Sequence, residues 1–324
     1  PALLFGMYNI GYQNAAAAGK LAETGFWSMF LYGFLLVLPK IVVSYVVGLG
    51  IEFAVAQWKK EEIQEGYLVS GILIPLIVPV NCPLWMLALA VAFSVIICKE
   101  IFGGTGMNIF NPALIARAFL FFSYPTSMSG DKVWVAGREV FGLGYNLPDA
   151  ATMATPLGEV GAGLQPTASL SDMIVGLIPG SIGETSVIAI AIGALILLYT
   201  QIASIRTMTS VFVGGVLVAV LFNMAGMEGN AVANMPWYEH IVTGGFCFGA
   251  VFMATDPVTS SRTEKGQYVY GFLIGALAIL IRVLNPGYPE GMMLAILFMN
   301  MFAPLIDYCV IQRNINKRMK RVQK

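Results

Sequence analysis

Apolar residues in this chain fall in long runs separated by short polar or glycine-rich breaks. The runs are mostly apolar, with few charged positions. They predict helices over residues 1–14, 29–57, 67–80, 84–100, 112–124, 185–203, 209–224, 238–254, 268–284 and 291–310. A bilayer-crossing helix needs about 20 mostly apolar residues. Several of these runs are shorter, or are interrupted by Gly and Pro. Broken backbone is tolerated at membrane depth only where protein or water satisfies it, so half-helices and re-entrant pieces are expected.

A weak internal repeat accompanies the runs. The helix after Trp85 leads into a polar break, Gly103 to Pro112, that ends Asn108-Ile109-Phe110-Asn111-Pro112. The small-residue helix after Trp237 leads into Phe252-Met253-Ala254-Thr255-Asp256-Pro257. Ten runs divide into two five-helix units, which makes the second copy inverted. The matching blocks lie four runs apart rather than five, so one boundary in this reading is misdrawn. The chain then divides into a first transmembrane repeat (1–124), an outer loop (125–184), a second repeat (185–310) and a basic tail (311–324).

Composition turns this pattern into a membrane assignment. Hydrophobic residues make up 57% of the chain and charged residues 11%, against about a quarter charged in soluble domains. So little charge cannot cover a water-facing surface, and lipid must be part of the solvent. The fold class expected is all-α, a polytopic membrane protein. Net charge is zero and no basic cluster interleaves with aromatics, so nucleic acid is excluded as a partner.

The basic residues set an orientation. With the tail in the cytoplasm, inward positions hold Lys59, Lys60, Lys99, Arg206, Arg262, Lys265 and the cluster from Arg313 to Lys324. Outward loops hold only Lys20, Lys132 and Arg138, while Lys40, Arg117 and Arg282 fall inside runs. The 125–184 loop is therefore expected outside. The chain opens Pro1-Ala2-Leu3-Leu4 without a starting Met and without a basic leader, so a preceding segment of the first helix is expected.

Few residues invite metal or redox chemistry of their own. Cys82, Cys98, Cys247 and Cys309 lie in or beside apolar runs with no CxxC pair, and read as small membrane-helix residues rather than a metal or iron–sulfur site. His240, the only histidine, follows Trp237 and Tyr238 and reads as an interfacial residue. Trp27, Trp58, Trp85 and Trp237 fall at run ends, as interfacial aromatics do; Trp134 in the outer loop has no evident role. Gly103-Gly104-Thr105-Gly106-Met107-Asn108 brushes against a dinucleotide-binding pattern. No strand is predicted before it, so it reads as a bent break between helices.

Four positions carry candidate chemistry. Thr152-Met153-Ala154-Thr155-Pro156-Leu157 sits in the outer loop, with too little bulk for a core. Pro156 keeps a helix from running through it, and small Ala154 leaves room beside the Thr155 hydroxyl. By spacing alone it is an ordinary threonine-rich turn. Gly48 and Glu52 share one face of the second run, a turn apart. An intramembrane carboxylate is costly and is by default functional, although Glu52 lies near enough to Lys59 to snorkel to the surface. Asp307 in the last run is either such a carboxylate or a helix-end partner of the basic tail. Arg117 and Arg282 are expected to pair with carboxylates or hold a phosphate.

Longer motifs carry a family resemblance that covers essentially the whole chain. Lys99-Glu-Ile-Phe-Gly-Gly-Thr-Gly-Met-Asn-Ile-Phe-Asn-Pro-Ala113, Ile178-Pro-Gly-Ser-Ile-Gly-Glu184, Phe252-Met-Ala-Thr-Asp-Pro-Val258, Asn285-Pro-Gly-Tyr-Pro-Glu-Gly-Met-Met293 and Ile311-Gln-Arg-Asn-Ile-Asn-Lys317 resemble the B-type membrane subunit of sodium-translocating NADH:quinone oxidoreductases. The D-type subunit of the ferredoxin:NAD oxidoreductase complex belongs to the same family, and the 285–317 stretch looks closer to the sodium pump. The resemblance implies the inverted repeat and flavin mononucleotide (FMN) joined by a phosphoester to Thr155. It also implies a non-covalent riboflavin, and quinone or inhibitor contact at Gly48 and Glu52. Ion handling at Asp307 rests instead on its place within an apolar run, since a hard cation such as sodium wants oxygen ligands. No catalytic side chain and no metal ligand is implied. Partners implied are the other subunits of a complex, ubiquinone, sodium, a flavin transferase and lipid, in a bacterial inner membrane. This chain departs from the family pattern in a longer Gly137–Pro148 loop, in Thr-Met-Ala-Thr for Ser-Gly-Ala-Thr, and in Leu49 where a second Gly is frequent. The rival readings are the ferredoxin-linked subunit and a flavin-free channel or transporter.

Overall fold

Each apolar run carries a helix in the computed structural model, which describes residues 1–62, 66–147, 153–227, 229–285 and 290–322. The first half holds α1 (Ala2–Ala17), α2 (Phe26–Lys59), α3 (Tyr67–Leu76), α4 (Leu84–Phe93) and α5 (Pro112–Ser123). The 125–184 loop adds three short helices, α6 (Pro125–Met128), α7 (Pro156–Gly161) and α8 (Leu170–Val175). The second half holds α9 (Val187–Tyr199), α10 (Ile205–Ala225), α11 (Trp237–Val242), α12 (Phe246–Phe248), α13 (Glu264–Leu284) and α14 (Met292–Val322). No strand occurs among the described residues. The helices α2, α10, α13 and α14 are long and apolar enough to cross a membrane, and α3, α5 and α9 are shorter apolar helices. The chain is a multi-pass membrane protein.

Local sequence explains where the helices start. Asn111 caps α5 by accepting from the Ala113 amide at 2.9 Å, with Pro112 in the first turn. Ser186, Ser204 and Thr263 cap α9, α10 and α13 in the same way. These side-chain oxygens satisfy amides that the first helical turn leaves unpaired.

Small residues let the spans approach. A Cβ at Gly275 of α13 would lie 1.9 Å from the Val211 carbonyl oxygen of α10, so only glycine fits that crossing. Close backbone approach of this kind is how helices pack in lipid, where burial alone gives little drive. The outward faces stay apolar: Ile188, Ile192, Leu195 and Ile196 of α9 are all exposed. Trp27, Trp58, Trp85 and Trp237 are exposed at helix ends, as interfacial aromatics should be.

The two polar breaks share a local device. Helix α4 passes into a π-helical stretch, Ser94–Glu100, before the Gly103–Pro112 break. Helix α12 passes into a π-helical stretch, Gly249–Met253, before Thr255–Asp256–Pro257. In the first break the backbone turns through positive φ at Gly103, Gly104 and Gly106, which is the bent connection expected rather than a nucleotide loop.

One expectation needs correction. His240 is not interfacial; it is fully buried, and its carbonyl accepts from Arg282 Nη1 at 2.6 Å. The aromatic pair before it marks the interface, but the helix turns its imidazole inward. Helix α14 runs unbroken past residue 310 into the basic tail, as far as Val322.

Candidate functional site

The 125–184 loop, with Arg117 and Phe121 of α5, lines a cavity of about 280 Å³. That is near the lower end of small-molecule sites, roughly 300 Å³. Thr155 lies on its wall as the cap of α7, where its Oγ1 accepts from the Gly158 amide at 3.1 Å. This bond uses an oxygen lone pair and leaves the bond from oxygen to its proton available for substitution. Pro156 occupies the first helical position, which fixes the turn and leaves Thr155 half-buried at the rim. Thr152 lies outside the described residues.

Trp134 and Phe121 supply aromatic wall, and Met128, Leu157 and Ile178 supply aliphatic wall. Gly130, Gly158, Gly161, Gly180 and Gly244 bring backbone to the cavity surface. The charged part of the lining is one connected group. Arg117 of α5 pairs through Nη1 with Glu184 and through Nη2 with Glu290. Arg117 and Glu184 are buried, and Glu290 is partly open, with its side chain 18% exposed.

Glu184 belongs to the loop before α9, outside the spanning helices. Burial pushes its carboxyl up to about 7, against the pull of Arg117, and the Glu290 carboxylate beside it adds to the rise. Arg282 stands behind this group, donating to the carbonyls of His240, Thr243 and Glu290. The expected carboxylate pairing of Arg117 is therefore observed, while Arg282 holds backbone.

Gly48 and Glu52 lie elsewhere, on a buried stripe of α2 that also includes Leu36, Lys40 and Ser44 at four-residue spacing. A Cβ at Gly48 would stand 2.0 Å from Cζ of Tyr67, so the flat ring against this glycine is the protein's own. The Tyr67 hydroxyl donates to the Ser44 carbonyl at 3.0 Å. Glu52 does not snorkel. It is buried and paired with Lys99, which sits at the end of the first π-helical stretch. By sequence Lys99 counts among the inward surface charges; the four-residue stripe on α2 was the available signal that it had a buried partner.

Asp307 occupies a third place. Its carboxylate accepts from Ser261 Oγ at 2.6 Å, Thr263 Oγ1 at 2.6 Å, and the amides of Arg262 and Thr263 at 2.8 and 3.0 Å. It ties the loop before α13 to α14, not to the basic residues further along. A groove of about 560 Å³ runs past it, lined also by Asn108, Asn300 and Thr259. The lining of the Thr155 cavity shares no residue with this groove or with the Glu52 pair.

Trp134, Glu184 and Glu290 were not singled out from sequence. Glu184 and Glu290 stand 67 and 173 residues from Arg117, so no local spacing links them. The four cysteines are unpaired, and the described residues hold no cluster of metal-ligating side chains.

Known proteins place the chain closely. It is 47% identical to the B-type subunit of the Na(+)-translocating NADH-quinone reductase of Chromohalobacter salexigens, over 99% of this chain and 81% of that protein. Proteins of the same name from Stutzerimonas stutzeri and Klebsiella pneumoniae are 46% and 45% identical, over 99% of this chain and 83% and 84% of theirs. With the sequence model of one family matching residues 1–316, the chain belongs to the NQR2, RnfD, RnfE family.

Proposed function

We propose that this chain is the membrane subunit of a sodium-translocating NADH:quinone oxidoreductase, with FMN attached by a phosphoester to Thr155. It passes electrons towards ubiquinone, coupled to sodium export across a bacterial inner membrane. About ten spans form two inverted five-helix repeats, residues 1–124 and 185–310. The 125–184 loop faces the periplasm, and residues 311–324 face the cytoplasm. NADH oxidation belongs to partner subunits, since this chain carries no dinucleotide fingerprint and no iron–sulfur ligand set.

The observation that carries this reading is the place of Thr155. Its hydroxyl stands at the rim of a cavity with aromatic walls, glycine backbone and a buried charged group. A flat, mostly apolar ring with one polar edge fits such a lining, and a phosphate on Thr155 would remain at the half-open rim. Once bound, FMN supplies one- and two-electron redox chemistry; the protein supplies attachment, walls and electrostatics. Quinone contact at Gly48 and Glu52, sodium handling at Asp307, and a second, non-covalent riboflavin complete the proposal. A flavin transferase would load Thr155, and lipid would surround the spans.

The test is fluorescence of the purified chain after denaturing electrophoresis. Flavin fluorescence should stay with the wild-type band and with Thr152→Ala, and vanish in Thr155→Ala. Fluorescence that persists without Thr155, or is absent from the wild type, refutes the attachment. The partner subunits that copurify separate a sodium pump from the ferredoxin-linked complex, and a flavin-free band would favour a channel or transporter.

A further inference from the structure

We infer that the Arg117–Glu184–Glu290 group reads the polar, pyrimidine edge of the flavin ring and sets that flavin's reduction potential. The inference rests on the attachment at Thr155 and concerns these residues' role towards the attached group. The cavity wall is chemically divided. Trp134, Phe121, Met128, Leu157 and Ile178 offer apolar surface, whereas Arg117, Glu184 and Glu290 are joined by direct ion pairs.

A phosphate is the obvious ligand for a buried arginine, and the charges argue against it here. The Arg117 guanidinium is already flanked by two carboxylates. A phosphate dianion brought to it would meet two like charges at close range, in surroundings where Coulomb terms are little screened. A neutral ring edge that carries both carbonyl acceptors and an N–H donor meets no such repulsion. The cluster matches it in kind, because guanidinium offers donors and the carboxylates offer acceptors. The phosphate is also accounted for elsewhere, at Thr155.

A group that touches the redox ring biases its charge states. Reduction adds negative charge to the ring, so each nearby carboxylate opposes it and each guanidinium favours it. Arg282 behind the group adds a second guanidinium that the substitutions below leave in place. Removing one carboxylate charge should therefore make the flavin easier to reduce.

The experiment is a spectroelectrochemical titration of the purified complex carrying Glu184→Gln or Glu290→Gln. Gel fluorescence is measured on the same samples. Both variants should keep the attached flavin and raise the midpoint of that flavin alone, Glu184→Gln by less, because its buried carboxyl is partly protonated near neutral pH. Arg117→Lys, which keeps the charge and loses the two-pronged fork, should move the midpoint less than either. Glu290 is the partly exposed member, so Glu290→Gln is the variant the fold tolerates best. Attached flavin with an unmoved midpoint in Glu290→Gln overturns the inference. Absence of gel fluorescence in the wild type would instead overturn the attachment on which it rests.

Discussion

Asn111 donates from Nδ2 to Oδ2 of Asp256 at 3.4 Å, across 145 residues of chain. The two residues occupy the polar breaks that follow the two π-helical stretches, so this contact joins the two breaks. Asp256 is held further by Thr259 Oγ1 at 2.8 Å and by the Val258 amide at 3.3 Å. Asn111 also caps α5, whose Arg117 lies on the wall of the Thr155 cavity. The contact between the two breaks and the Thr155 cavity therefore share one short helix.

Asn111→Ala removes that contact and the α5 cap together. Loss of a cap costs about 1 kcal/mol, and the lost contact to a charged acceptor adds to it. The expected outcome is a lower thermal midpoint in detergent, with gel fluorescence retained. A midpoint equal to wild type would mean that the contact contributes nothing.

The Glu52–Lys99 pair is buried on both sides, at 6% and 4% side-chain exposure. Removing one partner of such a pair costs about 3–5 kcal/mol, because the other charge is left alone in a poorly solvating place. Lys99→Ala should destabilise strongly, and Lys99→Ala with Glu52→Ala should recover part of the loss. A double-variant loss equal to the sum of the two single losses would show that the two residues are not coupled.

Gly48→Leu must displace the Tyr67 ring before it can affect any quinone. The informative protein is the double variant Gly48→Leu, Tyr67→Ala, in which the ring is gone. Its expected signature is restored assembly with a raised quinone KM or inhibitor resistance. Restored assembly with unchanged quinone kinetics and inhibitor response would reduce Gly48 to a packing residue.

Asp307→Asn removes a charge that binds two amides and two hydroxyls. It should raise the sodium concentration for half-maximal turnover and leave the flavin attached. Hydrogen exchange at Ser261–Thr263 is the control, because a purely structural strut would speed exchange there with no change in sodium response.

Glu184 makes stability depend on pH with a definite sign. Its carboxyl is raised to about 7 from an ordinary 4.5, so the folded protein binds a proton that the unfolded chain releases. Its stabilising contribution is complete below about 4.5 and is lost as pH rises through about 7. The thermal midpoint should fall across that window, and Glu184→Gln should flatten the decline. An unchanged slope in Glu184→Gln would place the effect on another group.

Much of the helical layout was legible because apolar runs and caps are local signals. Asn111, Ser186, Ser204 and Thr263 each precede an apolar run and each caps the helix found there. Thr155 stands out only through the family resemblance; what its local sequence shows is a turn at Pro156, and the structure makes it the cap of α7. The cavity was not legible. Arg117, Trp134, Glu184 and Glu290 come from four separate parts of the chain, and no period connects them. His240 failed for a related reason: neighbouring aromatics report where a helix begins, and not which way one side chain turns.

The continuity of α14 has a mechanical consequence. From Pro304 to Val322 the helix extends roughly 27 Å at 1.5 Å per residue, beyond the point where Asp307 ties it to the loop before α13. It is a lever with its fulcrum near that tie. A tilt of about 5° at Pro304 would sweep the basic end through about 2 Å by that same length, so a sub-ångström adjustment near Asp307 arrives at the far end of the helix enlarged.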